Sequence, residues 1–190
     1  QQLYPTKTLA LNSLALTTGT PAEGYEVKSV QMTPSVVIAA GDETALDTLD
    51  TLFLEQAVDV TSKDASFTAE VKVHKPSELV YTSASSVMLA VEIGPIQTQK
   101  EFESVPLSFL NTDEGLTATS ETKNVSVALS GPQLTLDTLK DSALTAYVST
   151  AGLAAGTYAL PVEVAVKGMD ATVYTYNVTP QNVSVTITEN

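Results

Sequence analysis

One stretch of this chain occurs twice, and the distance between the copies constrains the fold more than any other feature. The first copy reads Gly-Asp-Glu-Thr-Ala-Leu-Asp-Thr-Leu over residues 41–49, and the second reads Gly-Pro-Gln-Leu-Thr-Leu-Asp-Thr-Leu over residues 131–139. Matched positions lie 90 residues apart (131 − 41 = 90, and 136 − 46 = 90). In a chain of 190 residues, this repeat predicts two similar units in tandem.

Each copy is predicted to join a strand to a short helix. Runs rich in β-branched residues, 35–40 and 125–130, are typical of strands and precede Gly41 and Gly131. Each glycine is expected to end its strand by adopting a backbone turn that a residue with a Cβ resists.

The helical turn that follows is predicted from leucines three residues apart. They place an apolar side against the sheet, and they are Leu46 and Leu49 in the first copy and Leu136 and Leu139 in the second. Asp42 is expected to cap the first helix, and Pro132 to lie in the first turn of the second.

The correspondence extends on both sides of the repeated stretch. Ser13-Leu14-Ala15-Leu16 matches Ser104-Val105-Pro106-Leu107 at a spacing of 91, which is expected to hold up to the turns at Gly24 and Gly115. Residues 67–73 and 158–164 alternate apolar and polar side chains and predict strands.

Towards the end of each copy the spacing increases. Identical Val-Tyr-Thr triplets at 80–82 and 173–175 are 93 apart, and the closing strands at 87–93 and 183–187 are 96 apart. The second copy therefore has five extra residues (96 − 91 = 5), which we assign to a longer hairpin around Lys167-Gly168-Met169-Asp170.

Gly94-Pro95 lies between the copies and marks the predicted domain boundary, because proline cannot donate a ladder hydrogen bond. Residues 1–95 form the first predicted domain, with residues 1–8 as a lead-in, and residues 96–190 form the second. Helix is hard to find outside the two short turns. The predicted fold class is all-β, with two compact domains in tandem.

The charge of the chain is evenly acidic. The formal net charge is −13, and all nine basic residues are lysines. Residues 1–95 hold 5 lysines and 12 acidic residues (5 − 12 = −7), and residues 96–190 hold 4 and 10 (4 − 10 = −6). Nucleic-acid binding needs a basic surface that displaces counterions from phosphates, so the composition argues against a nucleic-acid partner.

Other sequence features limit the chemistry and the location. The chain has no cysteine, which excludes disulfides and thiolate metal sites. It contains no run of about 18 apolar residues that would span a membrane. It opens at Gln1 without a methionine, and we expect it to be a segment of a longer protein, so that a missing membrane anchor is uninformative.

The order of these motifs resembles that of tandem YbbR-like domains. The resemblance covers almost the whole chain from about residue 9, and the second copy carries its stronger form. The residues that carry it are Val105-Pro106-Leu107, Gly131-Pro132 with the leucine-bearing helix, Tyr147-Val148-Ser149-Thr150-Ala151-Gly152, Tyr158-Ala159-Leu160-Pro161-Val162 and Pro180-Gln181-Asn182-Val183-Ser184-Val185. In the first copy Ala15 replaces the proline, and Asp42 follows Gly41.

The resemblance implies a compact β fold whose strands wind round the domain perimeter and cross its centre in a figure-of-eight path. It also implies an extracytoplasmic location in the cell envelope of a Gram-positive-type bacterium, behind one N-terminal membrane helix outside this segment. The family includes the regulator of the membrane-bound diadenylate cyclase, which makes cyclic di-AMP. The expected function is therefore a monomeric, non-enzymatic regulatory module whose protein partner is such a cyclase. The resemblance implies no catalytic, cofactor or metal residues.

The residues that could take part in catalysis or metal binding are better explained as surface, turn or packing residues. His74 is the only histidine and precedes Lys75-Pro76, so an exposed loop position is expected. Carboxylates cluster around the first helical turn and could ligate calcium, but their counterparts in the second copy are Pro132, Gln133, Asp137 and Lys140, which favours a solvated helix face. Residues 111–115 resemble part of a cation loop and are interpreted as a turn. Four amphipathic tyrosines could face a partner, but packing at an edge or in the core is the default interpretation for each: Tyr25, Tyr81, Tyr174 and Tyr176.

Two alternative functions remain. Acidic, cysteine-free β repeats also suit a structural spacer or an adhesin-like array of Ig-type domains at a bacterial cell surface. A two-sheet Greek key would favour that alternative. A hydrolase that uses His74 is the second alternative, although the chain lacks the Gly-x-Ser-x-Gly motif.

Overall fold

The computed structural model describes residues 3–12 and 16–190. Backbone contacts divide the chain into two compact units, Gln1–Pro95 and Ile96–Asn190. Short helices interrupt what is otherwise a succession of strands, so the predicted all-β class is confirmed.

In its described residues the first unit has nine strands and one six-residue helix. They are β1 (Thr6–Asn12), β2 (Thr17–Thr18), β3 (Tyr25–Thr33), β4 (Val36–Gly41), α1 (Glu43–Thr48), β5 (Thr51–Phe53), β6 (Val58–Asp59), β7 (Phe67–Lys72), β8 (Leu79–Thr82) and β9 (Ser86–Pro95).

These strands form one sheet in the order β5-β1-β4-β8 and a second in the order β3-β9-β7, with β2 and β6 as a small pair. The chain crosses from the second sheet to the first between β3 and β4, and it crosses between the two sheets again from β7 to β8 and from β8 to β9, whereas β4 and β5 belong to the same sheet. β1 and β5 are parallel, as are β2 and β6. The inner faces enclose a core of leucine, valine and isoleucine side chains that includes Leu9, Val37, Leu46 and Leu89. The parallel pairs distinguish the unit from an Ig-type sandwich of two antiparallel sheets.

The second unit repeats the plan with eight strands, a six-residue α-helix and a short 3₁₀ turn at Asp141–Ala143. They are β10 (Gln97–Leu110), β11 (Leu116–Thr119), β12 (Asn124–Pro132), α2 (Gln133–Thr138), β13 (Leu144–Ser149), β14 (Gly156–Pro161), β15 (Glu163–Val166), β16 (Thr175–Thr179) and β17 (Asn182–Glu189).

The two sheets of this unit have the orders β15-β13-β10-β12-β16 and β11-β17-β14. The long strand β10 pairs first with β12, antiparallel, and then with β13, parallel, and a bulge lies between Phe102 and Val105. Its core includes Phe102, Val127 and Leu136.

The predicted lead-in, residues 1–8, is too long, because its last three residues belong to a strand. Thr6, Lys7 and Thr8 belong to β1 and pair with Ala40, Ala39 and Ile38 of β4. They are part of the sheet because alternate β1 residues such as Leu9 must enter the core in register with β4.

The predicted spacing of 91 does not hold throughout the first strands. Ser13, Leu14 and Ala15 lie outside the described residues. Beyond them, Thr17 pairs with Val58 whereas Phe109 pairs with Val148, so these strand positions are 92 apart (109 − 17 = 92). The glycine turns return to 91, because the first unit has one more residue in the loop before its turn.

The segment 158–164, predicted as one strand, is two. β14 pairs with β17, and β15 pairs with β13. In the first unit a single residue, Val73, contacts both of the equivalent partner segments. Its N–H donates to the carbonyl of Ser85, and it forms a β-bridge with Leu54. In the second unit Val162 contacts the carbonyl of Gln181, and Val166 pairs with Leu144, four residues later (166 − 162 = 4).

Most of the extra residues therefore form β15 and not a longer hairpin. Residues 167–170 do form a turn, but the strands on either side of it lie at opposite ends of one sheet order and are not paired with each other.

The Val-Tyr-Thr triplets are identical in sequence but not equivalent in structure. Ala40 of β4 pairs with Tyr81, while its counterpart Ser130 of β12 pairs with Thr175. Tyr81 is 56% exposed, whereas Tyr174 is 8% exposed and takes the buried position that Leu79 has in the first unit. The buried positions therefore make Tyr174 equivalent to Leu79, and not to Tyr81 as the identical triplets suggest.

Candidate functional site

The repeated stretch forms the corner at which a central strand passes into a short helix. β4 ends at Gly41 and β12 at Pro132, and each helix begins within two residues. One leucine of each helix is buried, with exposures of 4% for Leu46 and 0% for Leu136. Their partners Leu49 and Leu139 are half-buried against the same two cores.

The predicted reason for the two glycines, a backbone turn that a residue with a Cβ resists, is wrong. Neither Gly41 nor Gly131 has a positive φ. A Cβ on Gly41 would lie 2.8 Å from the carbonyl oxygen of Glu78, so close approach of the neighbouring chain explains this glycine. A Cβ on Gly131 would lie 3.5 Å from the carbonyl oxygen of Val173, which is an ordinary contact.

The predicted helix caps are only partly correct. Asp42 is the N-cap of α1, but its side chain makes no capping hydrogen bond. Pro132 is the N-cap of α2 and has an extended backbone, so it precedes the first helical turn that was predicted for it.

A lysine from the first strand of each unit contacts the C-terminal end of the helix. Lys100 Nζ donates to the carbonyl oxygens of Leu136, at 3.0 Å, and Leu139, at 2.9 Å. Lys7 Nζ donates to the carbonyl of Leu46, at 2.9 Å, and lies 3.0 Å from the Asp50 carboxylate. The partial negative charge of these carbonyls favours a cation there. Sequence reasoning missed this pair because Lys7 was assigned to the lead-in.

Val105 and Pro106 mark the point where β10 changes partner. Val105 is buried opposite Val125, and exposed Pro106 pairs with Asn124 at the end of the β12 ladder. Leu107 then begins the pairing with β13. Proline suits this position because the ladder is already irregular there.

The groups weighed for catalysis or metal binding are exposed and apart. His74 is exposed in a loop, as predicted. Asp42, Glu43, Asp47 and Asp50 are exposed around α1. Within residues 3–12 and 16–190, no group of three or more His, Asp or Glu side chains is placed to hold a metal ion. Residues 111–115 form a turn, in which Leu116 N donates to the carbonyl of Asp113.

Three titrating groups are perturbed by local hydrogen bonds. The hydrogen bond from Tyr147 to Glu163 raises the pKa of this tyrosine, with smaller contributions from burial and neighbouring charge. Hydrogen bonds from Thr61 lower the pKa of Asp59, and those from Thr172 lower the pKa of Asp170. Asp59 is the last residue of β6 and Asp170 begins a turn, and at both places such bonds stabilise the local backbone without assembling a reactive site.

One surface of the first unit differs from the rest of this acidic chain. The outward side of the sheet β5-β1-β4-β8 presents a set of uncharged side chains, which we call the first-unit face: Ala10, Val36, Ile38, Ala40, Phe53 and Tyr81. Val36 and Ile38 are each 50% exposed. Cross-strand pairs join the set, with Val36 opposite Ala10 and Ala40 opposite Tyr81.

The same surface of the second unit is polar. Its central strand presents Ser126, Ala128 and Ser130 where the first unit has Val36, Ile38 and Ala40, each 90 residues earlier (126 − 36 = 90). Thr175 occupies the position of Tyr81 in the ladder. Glu101 and Glu163 add negative charge. The sequence carries a signal for this difference that was missed: residues 36–40 are apolar without alternation, whereas residues 126–130 alternate.

None of the helices in the described ranges has the length and hydropathy to cross a bilayer.

Comparison with known proteins matches residues 14–91 to the model of the family described as YbbR-like protein. This match bears out the predicted resemblance. The chain is also similar to the CdaA regulatory protein CdaR of Bacillus subtilis (strain 168), with 25% identity over 151 residues. That alignment covers 77% of this chain and 31% of the relative, so the chain spans about a third of the relative's length.

Two solved structures are also similar. The YbbR-like domain of the lmo2119 protein from Listeria monocytogenes has 23% identity and a TM-score of 0.43, covering 49% of this chain and 95% of its own. A YbbR-like protein from Streptococcus pneumoniae TIGR4 has 12% identity and a TM-score of 0.34, covering 100% of this chain and 97% of its own.

Proposed function

We propose that this chain, whose residues 14–91 match the model of the YbbR-like protein family, is a non-enzymatic interaction module that modulates a membrane diadenylate cyclase. In this proposal the module lies outside the cytoplasmic membrane and is anchored through a helix in another part of the protein. It acts on cyclic di-AMP synthesis by binding a protein, and not by chemistry of its own.

The observation that carries the proposal is the similarity to the CdaA regulatory protein CdaR, which extends over 151 residues and therefore over parts of both units. The geometry is in keeping with it. The unusual surface of the chain is a solvent-exposed sheet face, and the perturbed titrating groups are in turns or at a sheet surface. A surface of this kind suits protein binding better than turnover of a small molecule.

The test is the level of cyclic di-AMP in the native host. The full-length protein is compared with a version that lacks these 190 residues but keeps its anchor. A clear rise or fall in cyclic di-AMP is expected, together with loss of co-purification with the cyclase. If both versions give the same cyclic di-AMP level and the cyclase co-purifies with neither, regulation of the cyclase is the wrong function.

A structural spacer remains the alternative for a chain of folded β units. It predicts that an unrelated β tandem of equal length restores function in place of these residues. The regulatory proposal predicts that such a replacement leaves cyclic di-AMP as altered as the deletion does.

A further inference from the structure

We propose that the first-unit face is the surface through which this chain docks on its protein partner, and that the partner's matching surface is apolar with a basic border. The proposal rests on the proposed function, because it assigns the docking surface for the same interaction. It concerns the outward side of one sheet in the first unit only.

The first-unit face is continuous because its members are neighbours across strands. Ala10, Val36 and Ile38 lie on the adjacent strands β1 and β4, and Tyr81 lies opposite Ala40 on the next strand, β8. Side chains directly opposite each other on one side of an antiparallel pair lie about 5 Å apart. With Thr8 opposite Ile38 and Asn12 beside Phe53, the exposed side chains form one continuous uncharged surface that is largely apolar, and not scattered single residues, which is the distinction that marks interaction sites.

The absence of charge on this face favours binding. Charged residues make up 16% of the chain, yet every outward side chain of β1, β4 and β8 in this sheet is apolar, threonine, asparagine or tyrosine. Burying such a surface removes apolar area from water at about 25 cal/mol per Å² and leaves no unpaired charge behind. Aromatic residues such as Phe53, 47% exposed, and Tyr81, 56% exposed, are common anchors of protein interfaces.

The fold itself does not require these apolar side chains. The second unit builds the same strand pair with Ser126, Ala128 and Ser130 at the equivalent positions. The first-unit face is therefore a property of one unit and not of the architecture, and about half of the surface of its larger side chains is open to a partner.

The charges that border the face indicate the partner's chemistry. Asp42, Glu43, Asp47 and Asp50 are exposed at the end of the sheet where β4 leads into α1. Two lysines lie near the same sheet: Lys7 is engaged by Leu46 and Asp50, and Lys75 donates to the carbonyl of Val80 in β8, so carboxylates outnumber cations. At the counterpart positions of the second unit the only carboxylate is Asp137. An acidic border is complemented by basic side chains, which also steer the encounter. A second copy of this chain would bring like charges together, so the proposed occupant is a different protein.

The experiment measures binding of the full-length protein to the host's purified diadenylate cyclase in detergent micelles. The variant carries Val36→Ser, Ile38→Ala and Tyr81→Thr, which are the residues of the equivalent positions in the second unit and should therefore fold. We expect binding at least about tenfold weaker. The matched control carries Leu134→Ser, Met88→Thr and Val173→Ser, which are similarly exposed apolar residues elsewhere, and should bind within about twofold.

The border is tested separately with Asp42→Asn, Glu43→Gln and Asp47→Asn. We expect slower association and a weaker dependence of the association rate on salt. Circular dichroism and urea unfolding establish that every variant is folded.

The outcomes separate the two proposals. Equal binding by the wild type and the face variant overturns this inference and leaves the proposed function standing. A wild type that does not bind the cyclase contradicts the proposed function and this inference with it. A wild-type dimer that the face variant dissociates, seen by light scattering, makes a second copy the occupant and also overturns the inference.

Discussion

Gly41 and Gly131 occupy the same place in the repeat, but a methyl group would meet different surroundings at each. At Gly41 it would lie 2.8 Å from a backbone oxygen, and real Cβ atoms do not approach so closely. At Gly131 the shortest distance is 3.5 Å, an ordinary contact. We expect Gly41→Ala to lower the free energy of unfolding by about 1–3 kcal/mol, because the backbone of β8 must move.

Gly131→Ala serves as the matched control. It should change stability by less than about 1 kcal/mol, and in the stabilising direction if the unfolded chain loses entropy. Urea unfolding of both variants measures the difference. Equal destabilisation by the two substitutions would show that the glycine serves a backbone turn in both units, as the sequence alone suggested.

Lys100 stabilises the end of α2 through two backbone carbonyls. Both bonds involve a charged donor at a partly buried position, with lengths of 3.0 and 2.9 Å. Lys100→Met keeps most of the aliphatic side chain and removes the ammonium group, so we expect a loss of about 1–2 kcal/mol. Lys123→Met, at an exposed lysine, should change stability by less than about 0.5 kcal/mol in the same urea titration.

Tyr147 provides a test of pH dependence. Its pKa is raised by the hydrogen bond to Glu163, while in the unfolded chain it titrates near its ordinary value of 10.0. The stability that this hydrogen bond gives to the folded state is fully present below the unfolded pKa. It is lost as the pH rises through the folded pKa, since the unfolded state releases the tyrosine proton first. Glu163→Gln should lower the pKa of Tyr147, measured by NMR titration of the tyrosine ring carbons. Glu101→Gln should leave it unchanged, and an equal effect of both would assign the shift to general negative charge.

At the scale of elements, burial decides which residues of β8 and β16 are equivalent. The sequence match equates Tyr81 with Tyr174, but the exposures are 56% and 8%. Removing a buried aromatic side chain costs about 3–5 kcal/mol. We therefore expect Tyr174→Ala to destabilise the second unit by about 3 kcal/mol, and Tyr81→Ala to change the first by less than about 1 kcal/mol. Similar losses from both, measured by thermal unfolding, would restore the equivalence that the triplets suggest.

The strands and short helices followed from local patterns, whereas the partners of those strands did not. β-branched runs and leucine spacing predicted β4, β12, α1 and α2, because these features depend on residues close in sequence. The division of residues 158–166 into β14 and β15 depends on two partners, β17 and β13, that a local pattern cannot show. The identical triplets misled for the same reason, since burial is set by distant strands.

The candidate docking surface could have been predicted from the positions at which the two copies differ. The repeated motif drew attention away from those positions. The repeat directed the comparison to what the copies share, which describes the fold. The unshared residues Val36 and Ile38, replaced by Ser126 and Ala128, give the surface its character. A strand that is apolar at successive positions has two apolar sides, and only one of them can belong to the core of the unit.

For the whole molecule, the principal feature is that each unit has its own core. The buried apolar residues of the first cluster extend from Leu9 to Ile93, and those of the second from Phe102 to Ile187. Each cluster thus lies entirely on one side of Pro95. A unit of about 95 residues buries somewhat over 60% of the surface of its unfolded chain, which suffices for folding alone.

We therefore expect residues 96–190, expressed alone, to fold cooperatively and to unfold in urea in a single transition. Leu136→Ala in this isolated unit should lower the free energy of unfolding by about 3 kcal/mol, because it leaves a cavity beneath α2. The exposed Leu134→Ala should lower it by less than about 1 kcal/mol, since Leu134 is 43% exposed. Chemical-shift dispersion in the amide spectrum reports whether the unit is folded. A collapsed spectrum for residues 96–190 that becomes dispersed only when residues 1–95 are attached would mean that the two cores are not independent, and the predicted domain boundary would then divide a single cooperative unit.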